Sequence, residues 1–118
     1  MIKLYGTPRI EMYTPSAAVE GETVVVVGTR PLIAPVPFEA NEKNCGLEAG
    51  GGVYSHTIDG AAEAGDIVYW DATAGKLTKT TAEAPHFGVL AAGSPEATDD
   101  GDTVYVLHDP DGSAIPAA

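Results

Sequence analysis

Short runs of β-branched and aromatic residues alternate along this chain with turns that are rich in glycine and acidic residues. Gly65-Asp66-Ile67-Val68-Tyr69 recurs as Gly101-Asp102-Thr103-Val104-Tyr105, and Gly21-Glu22-Thr23-Val24-Val25 is a looser copy. Glycine permits the positive-φ backbone of a sharp turn, and an acidic side chain there can accept hydrogen bonds from nearby amides. The residues that follow suit a pleated, half-buried surface. This pattern predicts an all-β domain.

The same alternation of apolar runs and turn residues predicts about seven short strands. They cover residues 23–28, 30–38, 53–59, 67–71, 76–80, 87–91 and 103–108. Three prolines make the second of these an edge or irregular strand, and residues 39–52 are predicted to be a long loop with a helical turn near 39–43. No segment has sustained helical periodicity. The pattern is typical of a small β-barrel or β-sandwich.

The first twenty residues differ from the rest because glycine and proline interrupt their apolar and aromatic positions. We divide the chain into an extended N-terminal arm (1–20), a β domain (21–108) and a flexible C-terminal tail (109–118). The arm either packs across its own domain or reaches another chain as an added strand. Its candidate contact residues are Ile2, Leu4, Tyr5, Ile10 and Tyr13.

The net charge of the chain limits the kinds of molecule that it could bind. Acidic residues outnumber basic ones by 17 to 6, which gives a net charge of −11, and eleven of the acids lie at or after Asp59. Such a surface repels phosphate backbones, so we expect no nucleic-acid partner. The longest apolar run, residues 24–27, is too short to cross a bilayer, and the N-terminus lacks a secretory pattern. We expect a soluble protein made in the cytoplasm, with no membrane partner.

The residues that could carry chemistry are sparse. Cys45 is the only cysteine, residues 99–102 lack the full spacing of a calcium loop, and residues 50–52 are not followed by the Lys-Ser/Thr of a phosphate loop. No histidine has a partner at metal-ligand spacing: His56, His86 and His108. We therefore predict a protein that is not an enzyme, with no catalytic residue, metal or cofactor.

Residues 51–108 resemble the capsid decoration, or cement, proteins of bacteriophages, long mislabelled in genomes as phage recombinases. The most specific part is the Gly-Asp-x-Val-Tyr-Trp-Asp run at 65–71, and segments 87–90 and 101–107 fit the same pattern. The resemblance implies a β domain that binds the outside of the major capsid protein lattice, as a homotrimer at local three-fold positions. It also implies synthesis in the bacterial host cytoplasm and a final place on the outer capsid surface, where the protein strengthens the shell.

Two other functions remain open at this point. A lipoyl- or biotinyl-type carrier domain is also small, acidic and all-β, and Lys76 beside Gly75 lies in a suitable hairpin, although the flanking Met or Asp of such carriers is absent. A recombination enzyme is opposed by the acidic charge. If the capsid interpretation is right, deleting residues 1–15 should leave a folded domain that no longer binds capsids.

Overall fold

The computed structural model describes residues 1–80 and 84–111, and within these ranges every regular element is a β-strand. The all-β class is confirmed, with two sheets. The choice between a barrel and a sandwich stays a prediction. Ten strands are present: β1 (Ile2–Tyr5), β2 (Ile10–Tyr13), β3 (Thr23–Val27), β4 (Arg30–Ala34), β5 (Cys45–Glu48), β6 (Val53–Asp59), β7 (Ile67–Asp71), β8 (Lys76–Thr78), β9 (His86–Leu90) and β10 (Asp100–His108).

Three of these strands lie outside the seven that the sequence predicted for the β domain. β1 and β2 lie in the segment expected to be an extended arm, and β5 lies in the segment expected to be a loop with a helical turn, so the loop prediction is wrong there. Each strand has only four residues, too few to show a clear alternation. Their pairing partners are distant in sequence, because β1 pairs with β6 and β2 pairs with β5. Tertiary pairing, and not local pattern, creates them.

The strands form a six-stranded and a four-stranded sheet. The first has the order β1-β6-β10-β9-β7-β8, and β8 also meets β6 in parallel at Ile58 and Leu77. The second has the order β2-β5-β4-β3, and its pairings are antiparallel. β1 is therefore an edge of the six-stranded sheet, while β2 and β3 are the two edges of the other.

Two clusters of buried side chains correspond to the two faces of the four-stranded sheet. Ile33 belongs to the first cluster, which is built mainly from the six-stranded sheet, whereas its neighbours Leu32 and Ala34 belong to the second. Because alternate residues of a strand point to opposite faces, one face of the four-stranded sheet packs on the six-stranded sheet. The first cluster includes Tyr54, Ile58, Val68, Trp70, Leu77, Phe87, Leu90, Val104 and Val106.

The two closely matched glycine–acid modules have the turn chemistry that the sequence predicted. Gly65 and Gly101 have φ values of 91° and 92°. The carboxylate of Asp66 accepts a hydrogen bond from the amide of Glu63 at 2.9 Å, and that of Asp102 accepts one from Asp99 at 3.0 Å. Bonds from these backbone amides are the main reason that the pKa values of both carboxyl groups are lowered.

The looser third copy departs from this geometry. Glu22 itself, and not Gly21, has the positive φ, at 58°. A Cβ on Gly21 would lie 3.0 Å from Pro37 Cδ, so glycine is needed there for a close approach between segments. The shared sequence pattern therefore marks a turn before a strand at all three places. At the first two places glycine provides a positive φ, whereas at the third it permits a close approach between segments.

The end of β10 joins the two sheets through a buried histidine. His108 Nε2 donates a hydrogen bond to the Pro31 carbonyl oxygen at 2.7 Å, and the imidazole ring lies 4.6 Å from the Phe87 ring. The chain then continues in contact with the body, because the Asp109 amide bonds the Phe87 carbonyl and Asp111 forms an ion pair with Arg30 at 2.8 Å. Residues 109–111 of the predicted flexible tail are thus held in place, and residues 112–118 lie outside the described residues.

Replacing Gly88 with alanine tests the closeness of β9 and β10. An added Cβ would lie 2.0 Å from the Leu107 carbonyl oxygen, which is backbone and cannot move aside cheaply. We expect Gly88→Ala to lower the free energy of unfolding by about 3 kcal/mol or more. Gly93→Ala is the matched control, because nothing lies within 4 Å of its Cβ position. Urea unfolding of both variants measures the difference, and equal stabilities would contradict the packing.

The buried imidazole also predicts a pH dependence. Burial lowers the pKa of His108 from 6.5 to about 4, against the opposing effects of the Pro31 bond and of Glu48, Asp109 and Asp111. The neutral form is favoured by folding, so this stabilisation is complete above pH 6.5 and is lost as the pH falls towards 4. We expect the free energy of unfolding to fall by about 3 kcal/mol over that window.

The variant His108→Gln removes the titrating group from the same place. Its stability, measured by urea unfolding at several pH values between 6.5 and 4.5, should depend clearly less on pH than that of the wild type. A His108→Gln protein with the same pH dependence as the wild type would show that another group is responsible.

Candidate functional site

The largest concentration of exposed apolar side chains lies on β1 and β2. Both strands are sheet edges, and the exposed fractions of these apolar residues range from 43% to 62%. Single exposed apolar residues are ordinary, but several on unpaired strand edges form a candidate interaction surface. We call this group the N-terminal edge surface; its members are Ile2, Leu4, Tyr5, Ile10 and Met12.

On β1, a charged side chain decides which way the strand faces. Lys3 Nζ donates a hydrogen bond to Glu48 Oε2 at 2.8 Å, so this side chain points towards the four-stranded sheet. Ile2 directly precedes Lys3 in regular register and therefore faces the other way. The register shift between Lys3 and Tyr5 falls at Leu4, which is 43% exposed but lies outside the regular alternation.

Glu48 is the centre of a buried polar contact between the two sheets. Its side chain is 5% exposed, and its second oxygen, Oε1, accepts a hydrogen bond from the Tyr54 hydroxyl at 2.6 Å. We call the group Lys3–Glu48–Tyr54 the carboxylate clasp. Burial and the adjacent Glu48 carboxylate raise the pKa of Tyr54, so its hydroxyl keeps the proton that it donates. The clasp joins β1, β5 and β6.

On β2, the side chains divide between the two faces of the four-stranded sheet. Ile10 and Met12 lie over Gly46, where a Cβ would come within 2.9 Å of Ile10 Cγ2. Tyr13, on the alternate position, is only partly exposed and packs against the second core cluster. Glu11 shares that face and accepts two hydrogen bonds from the Arg30 guanidinium at 2.8 and 2.6 Å.

The structure therefore brings the five contact residues predicted from sequence to two neighbouring edges but not to one face. Ile2 faces away from Lys3 on β1, Ile10 lies on one face of β2, and Tyr13 lies on the opposite face. Met12, 62% exposed, was not among the predicted contact residues. Its spacing of two from Ile10 was the signal that could have identified it.

Within residues 1–80 and 84–111, the structure places few side chains where they could react or bind a metal ion. Within them no group of three or more His, Cys, Asp or Glu residues could hold a metal ion. Burial raises the pKa of the Cys45 thiol, which disfavours the nucleophilic thiolate. Lys76, the residue that a carrier domain would modify, forms an ion pair with Asp100 at 3.0 Å. A search of the same ranges for a helix that could pass through a bilayer found none.

Comparison with protein families identifies the class to which the chain belongs. The model of the phage cement protein family matches residues 6–108, so the chain is a member of that family. The resemblance seen in residues 51–108 is confirmed, and the match extends through β2, β3, β4 and β5 as well. Searches of curated proteins and of solved structures gave no match. Membership indicates a structural role in decorating the phage capsid.

Substituting Lys3 tests the carboxylate clasp. Lys3→Met keeps most of the aliphatic stem but leaves Glu48 Oε2 without the ammonium group that it contacts at 2.8 Å. We expect the free energy of unfolding to fall by about 1–3 kcal/mol, because a buried carboxylate loses a partner. Lys76→Met removes a more exposed ion pair and should change stability by less than about 0.5 kcal/mol. Thermal and urea unfolding measure both, and equal effects would contradict the role of the clasp.

Proposed function

We propose that this protein binds the outer surface of the major capsid protein lattice and stabilises the assembled shell. The observation that carries the proposal is the match to the phage cement protein family over residues 6–108. The N-terminal edge surface supports it, because edge strands with exposed apolar side chains are suited to contacts with another polypeptide. In this proposal the protein performs no catalysis.

The separation of charge along the molecule supports one orientation on the shell. β1 pairs with residues 53–55 at one end of β6, whereas Asp59 and Asp100 pair at its other end. Asp99, Asp102 and Glu96 lie near that second end in sequence. We propose that the N-terminal edge surface faces the shell and that the acidic end faces solvent, where like charge keeps decorated particles apart.

Multiplicity compensates for the small area of such a contact. Five exposed side chains on two short strands bury less surface than a stable isolated interface needs, which is roughly 1,200 Å². Many copies on a lattice, each contacting several neighbours, gain avidity without any larger individual site. We propose a homotrimer at local three-fold positions, made in the bacterial host cytoplasm and carried on the outer surface of the virion.

Truncation is a poor test of this surface. Removing residues 1–15 deletes two paired strands and takes Lys3 out of the carboxylate clasp. A loss of capsid binding in the truncated protein would therefore mix unfolding with loss of contact. Single side chains that project into solvent separate the two effects.

Paired substitutions on each strand test the proposed contacts. We expect Ile2→Ser with Leu4→Ser, and separately Ile10→Ser with Met12→Ser, to lower occupancy on heads of the phage that encodes the chain by about tenfold. These four side chains are exposed, so thermal unfolding should change little. Tyr5 and Tyr13 stay proposed contacts; Tyr13 is unsuited to this test because it packs on the second cluster.

The control is Val36→Ser, because Val36 is 54% exposed and lies outside every strand. Occupancy is measured by sedimenting heads with each variant and quantifying the bound protein. If both paired variants bind heads as well as Val36→Ser does, the N-terminal edge surface is not the contact surface.

A further inference from the structure

A cavity lies at the acidic end of the molecule, where the β7–β8 hairpin meets the end of β6. Its volume is about 450 Å³, within the range of small-molecule sites, and its described wall includes Asp59, Trp70 and Asp71. Asp59 pairs with Asp100, whereas β1 pairs with residues 53–55 at the other end of β6. In the orientation proposed above, the cavity therefore lies away from the contact with the shell.

The wall of this cavity contains an indole N–H that has no hydrogen-bond partner among the described residues. Trp70 is only 7% exposed, and its ring packs beside the rings of His56 and Phe87, at 5.3 and 6.0 Å. The enclosed side-chain polar atoms that lack a partner in the described ranges belong to His86 and His108, so Trp70 Nε1 is reached from outside. A tryptophan N–H this deep usually has an acceptor, which here a molecule in the cavity must supply.

Two carboxylates with free oxygens also line the cavity. Asp71 Oδ1 accepts hydrogen bonds from the amides of Thr73 and Ala74, at 3.0 and 3.1 Å, and these bonds hold the side chain in place. Within the part of the chain that the structure describes, Asp71 Oδ2 and the carboxylate of Asp59 have no partner, and no wall residue is cationic. These oxygens require donors from a ligand.

The combination of one donor and two acceptors selects the chemical class of the ligand. An ammonium or guanidinium group would satisfy the carboxylates but has no acceptor for the indole N–H. An anion has acceptors but is repelled by two aspartates. A hydroxyl group both donates and accepts. A peptide unit has a single donor and a single acceptor, whereas a sugar ring has hydroxyls around its whole rim.

We propose that this cavity binds a neutral sugar unit. Trp70 Nε1 donates a hydrogen bond to one hydroxyl oxygen, and Asp59 and Asp71 accept hydrogen bonds from other hydroxyl groups of the same ring. The remaining wall suits such a ligand, because Thr80 adds a hydroxyl group and Pro85 adds an apolar surface for the C–H groups of the sugar. The site is additional to the proposed capsid function and shares no residue with the N-terminal edge surface.

The first test follows the indole N–H directly. Trp70 is the only tryptophan, so a ¹⁵N-labelled protein gives one indole signal in NMR spectra. D-glucose, D-galactose, D-mannose and N-acetyl-D-glucosamine are titrated separately into the free wild-type protein. We expect at least one of them to move this signal with a dissociation constant below about 10 mM. No movement with any of the four sugars at about 50 mM would overturn the site.

Two further probes separate the sugar from the other ligand classes. L-arginine amide represents a cation, and N-acetylglycine amide represents a peptide unit. Each should move the Trp70 indole signal less than the best sugar does at equal concentration, because neither supplies the full set of donors and acceptors. A tighter dissociation constant for either probe than for every sugar would show that the assignment to a sugar is wrong.

Paired variants test the part played by the carboxylates. Asp59→Ala removes an acceptor from the wall and should weaken sugar binding by about fivefold or more. Asp99→Ala is the matched control, since it removes an equal charge from an exposed position near the same end but outside the wall, and should weaken binding by less than about twofold. Both side chains are exposed, so thermal unfolding should stay close to that of the wild type.

Equal weakening by the two alanine variants would show that general charge is responsible and would overturn the role of Asp59. All these measurements use the free protein, so they are independent of the capsid. Wild-type protein that binds a sugar but not phage heads would contradict the proposed function and leave this site standing.

Discussion

The arrangement of this molecule depends on one buried carboxylate. Glu48 belongs to the four-stranded sheet, yet its two oxygens contact Tyr54 and Lys3 of the six-stranded sheet, at 2.6 and 2.8 Å. A carboxylate in such a buried place is costly unless both oxygens are satisfied. The requirement therefore stabilises the contact between the sheets and holds β1 in place, with the side chains of Ile2 and Leu4 exposed. The His108–Pro31 bond makes a second link between the sheets.

The contacts with the shell that we propose for this protein lie on strand edges that are left unpaired. β1 and β2 each have one side without a partner strand in the described structure. Both strands carry exposed apolar side chains. Such edges would be a hazard for a free protein. In the proposed function, the same edges on a shell with many copies supply contacts that are weak singly and strong together.

The sequence predicted the central strands well because each follows a turn with its own local chemistry. Asp66 and Asp102 cap their turns through hydrogen bonds to amides only a few residues away. β1, β2 and β5 could not be predicted in this way, since β1 pairs with β6 and β2 pairs with β5 across long stretches of sequence, as in the pairing of Ile10 with Glu48. For the same reason, the sequence could not show that the predicted contact residues lie on different faces of β1 and β2. Only the Lys3–Glu48 bond shows which side of β1 points inwards.

The central claim is that this phage cement protein reinforces the shell by binding its outer surface. The direct measurement is the temperature at which DNA-filled heads release their DNA, for bare heads and for heads saturated with the protein. Our account predicts a higher release temperature for the decorated heads, because contacts between the protein and the shell must break before the shell opens. Saturated heads that release DNA at the same temperature as bare heads would contradict it.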